Sequence, residues 1–252
     1  MTIDDNTANH SRWPTACISD RGGRDENQDA CAHRNDPGDG VWLLADGLGG
    51  HHGGATAAHL AVDTAVGALA AAGEFAPETL KQALATAHQA LLDRQDSDPD
   101  LARMRTTLVA LWRRGDQVLW GYTGDSRLYL FRDGRVLLQT KDHSVPQMLA
   151  DSGEIGADEV RGHEDRNRLL RALGTPGPLR ATLLKAPRRV QSGDALLLCS
   201  DGFWEPLPEA DMEAALADAD EPAHWLAALE RLLRERVHGD YDNYSALAVR
   251  VP

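Results

Sequence analysis

The sequence predicts an α+β fold in which two antiparallel β-sheets stack face to face and helices cover their outer sides. Two observations predict this class. Helical patterns occur in sequential pairs between runs of strand patterns, and not in the strand–helix alternation of a βαβ fold. The segment Ala195–Cys199 is apolar throughout, as is typical of a central strand covered on both faces. Stacked sheets with helices outside would bury all of these apolar surfaces.

The composition restricts the partners and the location. The 252 residues include 26 Lys and Arg against 39 Asp and Glu, a net charge of −13 at pH 7. Such an acidic chain argues against nucleic acid or an anionic membrane as the main partner. Cys17, Cys31 and Cys199 show no paired spacing, which predicts reduced, buried thiols. The start is polar, and no stretch approaches the roughly 18 apolar residues of a membrane span. We therefore expect a cytoplasmic protein without membrane insertion.

The N-terminal part is expected to form strands. Residues 1–12 are polar and aperiodic, which predicts a flexible tail before a single domain over residues 13–252. Short apolar runs predict strands at Thr15–Ser19, near Ala30–His33 and at Val41–Ala45.

Two amphipathic helices are predicted next. Apolar residues at helical spacing indicate a helix from Ala55 to about Ala72. Pro77, at a first-turn position, opens the second helix. We interpret His59 and His88, one on each helix, as surface residues and not as metal ligands.

The C-terminal part combines strands, an insertion and further helices. A meander of four strands is predicted, with Asp133-Gly134 as a hairpin turn: Thr106–Trp112, Val118–Thr123, Arg127–Phe131 and Arg135–Gln139. Residues 141–150 are predicted to be helical, and 151–178 form an insertion with little structure of its own. The remaining predicted strands are Leu179–Leu184, Ala195–Cys199 and Tyr244–Val251, and helices are expected to start near Pro208 and Pro222.

Acidic residues recur at the boundaries of these strands. Asp46 follows a buried strand and precedes a glycine-rich segment, where little side chain would obstruct a metal or a phosphate. Asp125, Asp201 and Asp242 occupy similar positions later in the chain. Each acid alone is better explained as a turn or a solvated loop. Four of them suggest that carboxylates converge on one end of a sheet.

The oxygen-rich pattern suits hard divalent cations. Mg²⁺ and Mn²⁺ prefer carboxylate, carbonyl and water ligands, which Asp46, Asp201, Asp242 and a backbone carbonyl beside Gly47 could supply. Two such ions about 4 Å apart can share a hydroxide and clamp a phosphoryl group. The planar fork of Arg24 could hold two phosphate oxygens. Asp29 could lie beside Asp46 on the neighbouring strand.

With these motifs the chain resembles the bacterial metal-dependent Ser/Thr protein phosphatases of the PPM (phosphatase 2C) family, from about Ile18 to Val251. The motifs stand in the family's order: Arg24-x-x-Asn27-Gln28-Asp29, Asp46-Gly47-x-Gly49-Gly50-His51, Thr106-Thr107-Leu108, Gly124-Asp125-Ser126-Arg127, Asp142-His143-Ser144, Arg171-Ala172-Leu173-Gly174, Ser200-Asp201-Gly202 and Asp242-Asn243. The resemblance implies a four-layer α-β-β-α sandwich with two Mn²⁺ or Mg²⁺ ions at one end, and a weaker third ion.

The resemblance also assigns roles. Asp46 would bridge both ions, with the Gly47 carbonyl on one and Asp201 and Asp242 on the other. Asp125, with Asp201, would hold the third ion. Arg24 matches the arginine that binds substrate phosphate, and Asp29 matches an acid that holds a metal-bound water. Residues 144–175 match a mobile flap beside the site.

The implied activity is hydrolysis of phosphoserine and phosphothreonine on proteins, by in-line attack of a metal-bridging water or hydroxide. The implied partners are phosphorylated proteins and a bacterial Ser/Thr kinase, and we expect a monomer. Two alternatives stay open: a pseudophosphatase that acts as a regulatory binding module, and a hydrolase of small phosphoesters.

Three positions depart from the family's pattern. Gln28 stands where many members have Glu, and Arg105 replaces a glycine that commonly precedes the Thr-Thr pair. Leu48 occupies the position where animal members carry a histidine proposed as general acid. No residue is therefore assigned that role, and His51 is only a weak candidate for it.

Overall fold

The computed structural model describes residues 11–49 and 53–252. One antiparallel sheet has the strand order β1-β12-β11-β7-β8. Its strands are β1 (Thr15–Asp20), β7 (Arg127–Arg132), β8 (Arg135–Gln139), β11 (Ala195–Cys199) and β12 (Tyr244–Arg250). We call it the first sheet. It brings the first and the last of these strands together, because β1 pairs with β12 along its whole length.

The second sheet has the order β10-β6-β5-β3-β2, with β4 paired to β3 and β9 paired to β6. Its strands are β2 (Asp29–Asp36), β3 (Asp39–Leu48), β4 (Arg105–Thr106), β5 (Leu108–Arg114), β6 (Gln117–Thr123), β9 (Thr182–Leu183) and β10 (Arg188–Arg189). Antiparallel pairing throughout matches the fold class predicted from the sequence.

Helices cover the outer face of each sheet. The second sheet packs against α1 (Gly53–Ala70) and α2 (Pro77–Ser97), and the first packs against α5 (Glu209–Ala217) and α6 (Pro222–Arg236). Two short helices, α3 (Val145–Ser152) and α4 (Asp201–Trp204), lie in connecting segments. The predicted four-layer α-β-β-α sandwich is therefore confirmed.

Three apolar cores fill the sandwich, one between the sheets and one under each helical layer, and alternation along a strand lets it contribute to two of them. In β3, Trp42 and Leu44 face the other sheet, whereas Leu43 faces the helices. In β11, Leu196 and Leu198 likewise point between the sheets. Both strands are covered on both sides, which is why their sequences are apolar without interruption.

The four strands predicted as one meander belong to two sheets. β5 and β6 pair in the second sheet, whereas β7 and β8 pair in the first. The prediction of a single meander was wrong because the chain crosses from one sheet to the other between Thr123 and Arg127. The predicted hairpin turn is present, with φ of 51° at Asp133 and 73° at Gly134.

Several local predictions also need correction. The strand predicted over Leu179–Leu184 is limited to β9, and β10 and α4 were not predicted. His88 is buried and not a surface residue: its Nε2 lies 2.9 Å from the Gly177 carbonyl oxygen, and its Nδ1 accepts a hydrogen bond from the Gly174 N–H. Of the three cysteines only Cys199 is buried, whereas Cys17 is exposed.

The segment over residues 144–175 is mostly turns after α3. It is fastened at its base by two isolated antiparallel bridges, between Ser144 and Leu169 and between Thr106 and Leu173. Residues 1–10 of the expected tail lie outside the described residues. In the described part of the chain, none of the helices combines the length and the apolar character needed to cross a membrane.

Candidate metal and phosphate site

Asp46 lies at the end of β3, where hydrogen bonds fix its backbone. The Thr107 hydroxyl accepts from the Asp46 N–H at 2.8 Å. The Asp46 carbonyl accepts from the Thr107 N–H at 2.9 Å and from the Thr106 hydroxyl at 2.8 Å. The Thr-Thr pair therefore holds the strand end rigid, and the carboxylate projects from a defined position.

Gly47 is required by a close approach between β3 and α1. A Cβ built on Gly47 would lie 2.1 Å from the carbonyl oxygen of Gly54, far inside contact distance. The Gly47 N–H donates to the Gln28 carbonyl oxygen at 3.1 Å, which ties β3 to the loop before β2. No side chain larger than hydrogen fits here without moving the start of α1.

The other acids come from the first sheet and from the crossing between the sheets. Asp201 follows β11 at the start of α4, Asp242 precedes β12, and Asp125 lies between β6 and β7. All of them meet Asp46 in a cavity of about 350 Å³. Its lining residues are Arg24, Glu26, Gln28, Asp46, Gly47, Leu48, Gly49, Asp125, Asn167, Leu169, Asp201, Asp242 and Asn243. We call this the acidic cavity.

Crowding of the carboxyl groups raises their pKa values. Burial raises the pKa of Asp46 and of Asp125 well above the usual value, and the charge of Asp201 adds to it in both cases. Burial and the charge of Asp242 raise the pKa of Asp201, whose carboxyl group contacts that of Asp46. Such a group of acids is stable in the ionised form only with compensating positive charge.

Asp29 lies behind Asp46, as its cross-strand partner on β2. Its Oδ2 accepts a hydrogen bond from the Ser200 hydroxyl at 2.7 Å. Its Oδ1 is buried and has no hydrogen-bond partner among the described residues. Burial raises the pKa of Asp29 to about 7, while the Ser200 hydroxyl opposes that rise. An unpaired buried carboxylate oxygen next to the acidic cavity suits contact with a ligand-bound water.

These donors fit hard divalent cations. Among the described residues that line the cavity, every ionisable acceptor is a carboxylate, the ligand type that Mg²⁺ and Mn²⁺ prefer. Within residues 11–49 and 53–252, no three His, Cys, Asp or Glu side chains are already arranged around one point. Holding two ions therefore requires the carboxylates to turn towards common positions in the cavity.

Arg24 stands at the rim of the acidic cavity. Its side chain is 46% exposed, and its Nη2 donates to Asp242 Oδ2 at 3.3 Å. Exposed pairing of this kind is weak, so the guanidinium can exchange Asp242 for an anionic ligand.

Asn243 holds the Arg24 loop in place, a role that the sequence motif did not reveal. Its Nδ2 donates to the carbonyl oxygens of Arg21 and Glu26, both at 2.8 Å, and its Oδ1 accepts from the Gln28 N–H at 2.9 Å. The position of Asn243 directly after Asp242 was the available signal.

Glu205 is a further residue near the site that sequence reasoning missed. Burial and the charge of Asp201 raise the pKa of Glu205 to about 7, although Arg166 pairs with it at 3.1 Å. His51, considered for proton transfer, lies outside the described residues.

The four-layer sandwich with an acid-lined cavity between its two sheets defines a protein built to hold divalent cations and an anion. The sequence profile of the protein phosphatase 2C family matches residues 19–236. The chain belongs to the protein phosphatase 2C family, as its motifs predicted.

Named relatives and solved structures agree with this assignment. The serine/threonine phosphatase stp of Listeria monocytogenes serotype 4b is 36% identical over 204 residues, covering 78% of this chain and 76% of that protein. The serine/threonine protein phosphatase PstP of Mycobacterium tuberculosis is 35% identical over 222 residues, covering 85% of this chain and 41% of that protein.

Two solved structures of proteins named PstP resemble this fold. The crystal structure of Mycobacterium tuberculosis PstP/Ppp superimposes with a TM-score of 0.85 at 32% identity, covering 96% of this chain and 99% of that one. The catalytic domain of PstP in complex with two manganese ions gives a TM-score of 0.81 at 30% identity, covering 95% of this chain and 98% of that one.

Proposed function

We propose that this protein is a metal-dependent protein serine/threonine phosphatase that hydrolyses phosphoserine and phosphothreonine. The observation that carries the proposal is the meeting of Asp46, Asp125, Asp201 and Asp242 with Arg24 in one cavity. Membership of the protein phosphatase 2C family and the names of the relatives support it.

In this proposal the acids would hold two Mn²⁺ or Mg²⁺ ions. Asp46, the Gly47 carbonyl, Asp201 and Asp242 would be their ligands. Asp125, with Asp201, would hold a weaker third ion. When bound, the ions polarise the phosphoryl group and supply a water-derived nucleophile at neutral pH. The two manganese ions in the structure of the related PstP catalytic domain support the number and kind of ions.

The remaining roles belong to residues that touch the substrate or its water. Arg24 binds two phosphate oxygens through its planar fork and aligns the phosphoester with the cavity. Asp29 accepts a hydrogen bond at its free Oδ1 and orients the attacking water.

The wider biological statements belong to the same proposal. The substrates are phosphorylated proteins, and a Ser/Thr kinase that makes them is the expected counterpart. We keep the predictions of a monomeric, cytoplasmic protein with one domain over residues 13–252 and a flap at 144–175. A pseudophosphatase is not favoured, because its expected signature is loss of a metal acid and Asp46, Asp201 and Asp242 are all present.

The test compares the wild type with Asp201→Asn on a phosphothreonine peptide, with and without Mn²⁺. We expect manganese-dependent turnover that falls by roughly 100- to 1000-fold in the variant, since one ligand of the ions is lost. Calorimetric titration with Mn²⁺ should show weaker binding in the same variant. Asp96→Asn, an exposed acid on α2, is the matched control and should leave both readouts unchanged. Absence of turnover by the manganese-loaded wild type on every phosphopeptide would contradict the proposal.

A further inference from the structure

A second cavity, of about 610 Å³, opens beside the acidic cavity and carries the opposite charge. The two cavities share Leu48, Gly49, Asn167 and Leu169 in their walls. The other residues that line the second one include Arg103, Arg105 and Arg171, and none of the described lining residues is acidic. We call it the arginine cavity. A ligand lying across Leu48 and Leu169 would contact both cavities.

The three arginines are available to a ligand. Arg103 and Arg105 are exposed and Arg171 is partly exposed. In the part of the chain that the structure describes, none of their guanidinium groups forms an ion pair or a hydrogen bond.

Several other exposed arginines of this protein do pair with a carboxylate. Arg34, Arg135 and Arg166 each pair with a carboxylate, at 2.5 Å, 2.6 Å and 3.1 Å respectively. In a chain with 39 acids against 26 basic residues, acidic partners are abundant. Three unpaired arginines in one cavity therefore form a concentrated positive patch on an otherwise acidic protein.

Strand pairing fixes how far this patch lies from the acids. In the pairing of β3 with β4, Leu48 stands opposite Arg105, and Gly47 stands opposite Thr106. Leu48 is two residues from Asp46 along β3, and Arg105 lies opposite Leu48 on the adjacent strand. The Cα atoms of Arg105 and Asp46 are therefore roughly 8 Å apart. A peptide in extended conformation covers that distance in two or three residues.

Arg103 and Arg171 border the same path. A Cβ built on Gly49 would lie 3.0 Å from the carbonyl oxygen of Arg103, so the two backbones are in contact. Arg171 comes from the segment whose Leu173 pairs with Thr106. The patch thus combines one loop next to β4 with one part of the 144–175 segment.

We propose that the arginine cavity is a second anion-binding subsite, which selects phosphopeptides carrying another anionic group two or three residues from the phosphoresidue that is hydrolysed. The inference rests on the proposed function and names its substrate class. Guanidinium groups bind carboxylates and phosphates through charge-assisted hydrogen bonds. The second group is therefore an acidic side chain or a second phosphorylated residue.

The charge distribution explains why such a subsite is useful. The phosphoresidue must approach a cavity lined by carboxylates, and a flanking anionic group would be repelled there. Placed over Arg103 and Arg105, the same group is attracted. The expected gain is about tenfold in kcat/KM for a dianionic group and about threefold for a carboxylate, as for partly exposed charge-assisted contacts. Because this contact is equal in substrate and transition state, it should lower KM and leave kcat unchanged.

The test uses a series of phosphothreonine peptides that differ at one position. The residue two or three places before or after the phosphothreonine is Ala, Lys, Glu or a non-hydrolysable phosphonate analogue of phosphoserine. The enzymes are the manganese-loaded wild type and Arg103→Gln/Arg105→Gln. The matched control, Lys185→Gln/Arg231→Gln, removes two exposed positive charges that lie outside the arginine cavity. Thermal unfolding checks that all three are folded.

The readout is the ratio of kcat/KM for each anionic peptide to that for the alanine peptide. For at least one position of the anionic residue, the wild type and the control variant should show about tenfold higher kcat/KM for the phosphonate peptide and about threefold for the Glu peptide. This difference should lie in KM. In Arg103→Gln/Arg105→Gln both ratios should be close to one. A phosphonate preference well above that for Glu assigns a second phosphorylated residue, and equal preferences assign an acidic side chain. A wild-type ratio of one at every offset, or an unchanged ratio in the variant, overturns the inference. Absence of turnover on all peptides would instead refute the proposed function.

Discussion

The buried ion pair between Arg127 and Asp142 is expected to stabilise the segment that carries Asp125. The two side chains are only 5% and 3% exposed, and they share two hydrogen bonds, of 2.8 Å and 2.7 Å. The guanidinium lies 3.3 Å above the ring centre of Trp204, whose Nε1–H donates to the Asp125 carbonyl oxygen at 3.0 Å. The pair is therefore connected to the acidic cavity through one aromatic ring.

The perturbation is Asp142→Asn, which keeps the shape of the side chain and removes its charge. Removing one partner of a buried ion pair costs about 3–5 kcal/mol, because the other charge is left without compensation. Glu209, at 3.7 Å from Arg127 Nη1, offsets part of this cost, so we expect about 3 kcal/mol. For a domain of this size, that corresponds to a fall of about 6–12 °C in Tm.

Urea unfolding followed by tryptophan fluorescence measures the effect. The control is Asp165→Asn, which removes an exposed pair with Arg168 and should cost less than about 0.5 kcal/mol. The double variant Arg127→Met/Asp142→Leu removes both charges and should be more stable than Asp142→Asn alone. A loss below about 1 kcal/mol in Asp142→Asn would refute the reasoning, since a buried unpaired guanidinium cannot be that inexpensive.

Two further predictions concern Gly47 and His143. Gly47→Ala should destabilise the protein by about 2–3 kcal/mol through overpacking against Gly54, whereas Gly67→Ala, with open space around it in α1, should be neutral or stabilising; urea unfolding of both decides. His143 is held neutral because its Nδ1 accepts the Gly124 N–H at 3.2 Å, and burial lowers its pKa from 6.5 to about 4. The neutral His143 contributes its full stabilisation above pH 6.5, and this stabilisation is lost as the pH falls from 6.5 to about 4. Unfolding experiments at several pH values should show a loss of about 2 kcal/mol in the wild type that His143→Gln lacks.

The candidate site could be predicted because its signals are local in the sequence. Each acid directly follows or precedes an apolar strand, and the neighbouring glycine marks a close backbone approach, as at Asp46 and Gly47. The hairpin at Asp133-Gly134 was predicted for the same reason, since two adjacent residues determine the turn. A structural feature that depends only on adjacent residues can therefore be predicted from the sequence.

Features that depend on distant segments were missed. The crossing between the sheets before Arg127 depends on which strands are already paired, which no local pattern encodes. His88 was predicted to lie at the surface because its partners, Gly174 and Gly177, are almost ninety residues away. The arginine cavity could not be predicted either, because Arg103 and Arg171 come together only through the bridge between Thr106 and Leu173.

The two cavities have one electrostatic property in common. Each collects charged groups of one sign, carboxyl groups in the acidic cavity and guanidinium groups in the arginine cavity, that other side chains of the fold do not neutralise. A carboxyl group whose pKa is higher in the folded than in the unfolded chain stabilises the fold only at low pH, and for Asp29 that contribution is lost as the pH rises from 3.8 to about 7. Asp46 and Asp125 behave in the same direction. At neutral pH the acidic cavity therefore destabilises the fold until cations occupy it, and their binding stabilises the native state by mass action. The guanidinium groups of Arg103 and Arg105 also lack partners among the described residues. By the same argument, an anionic group bound there would stabilise the native state.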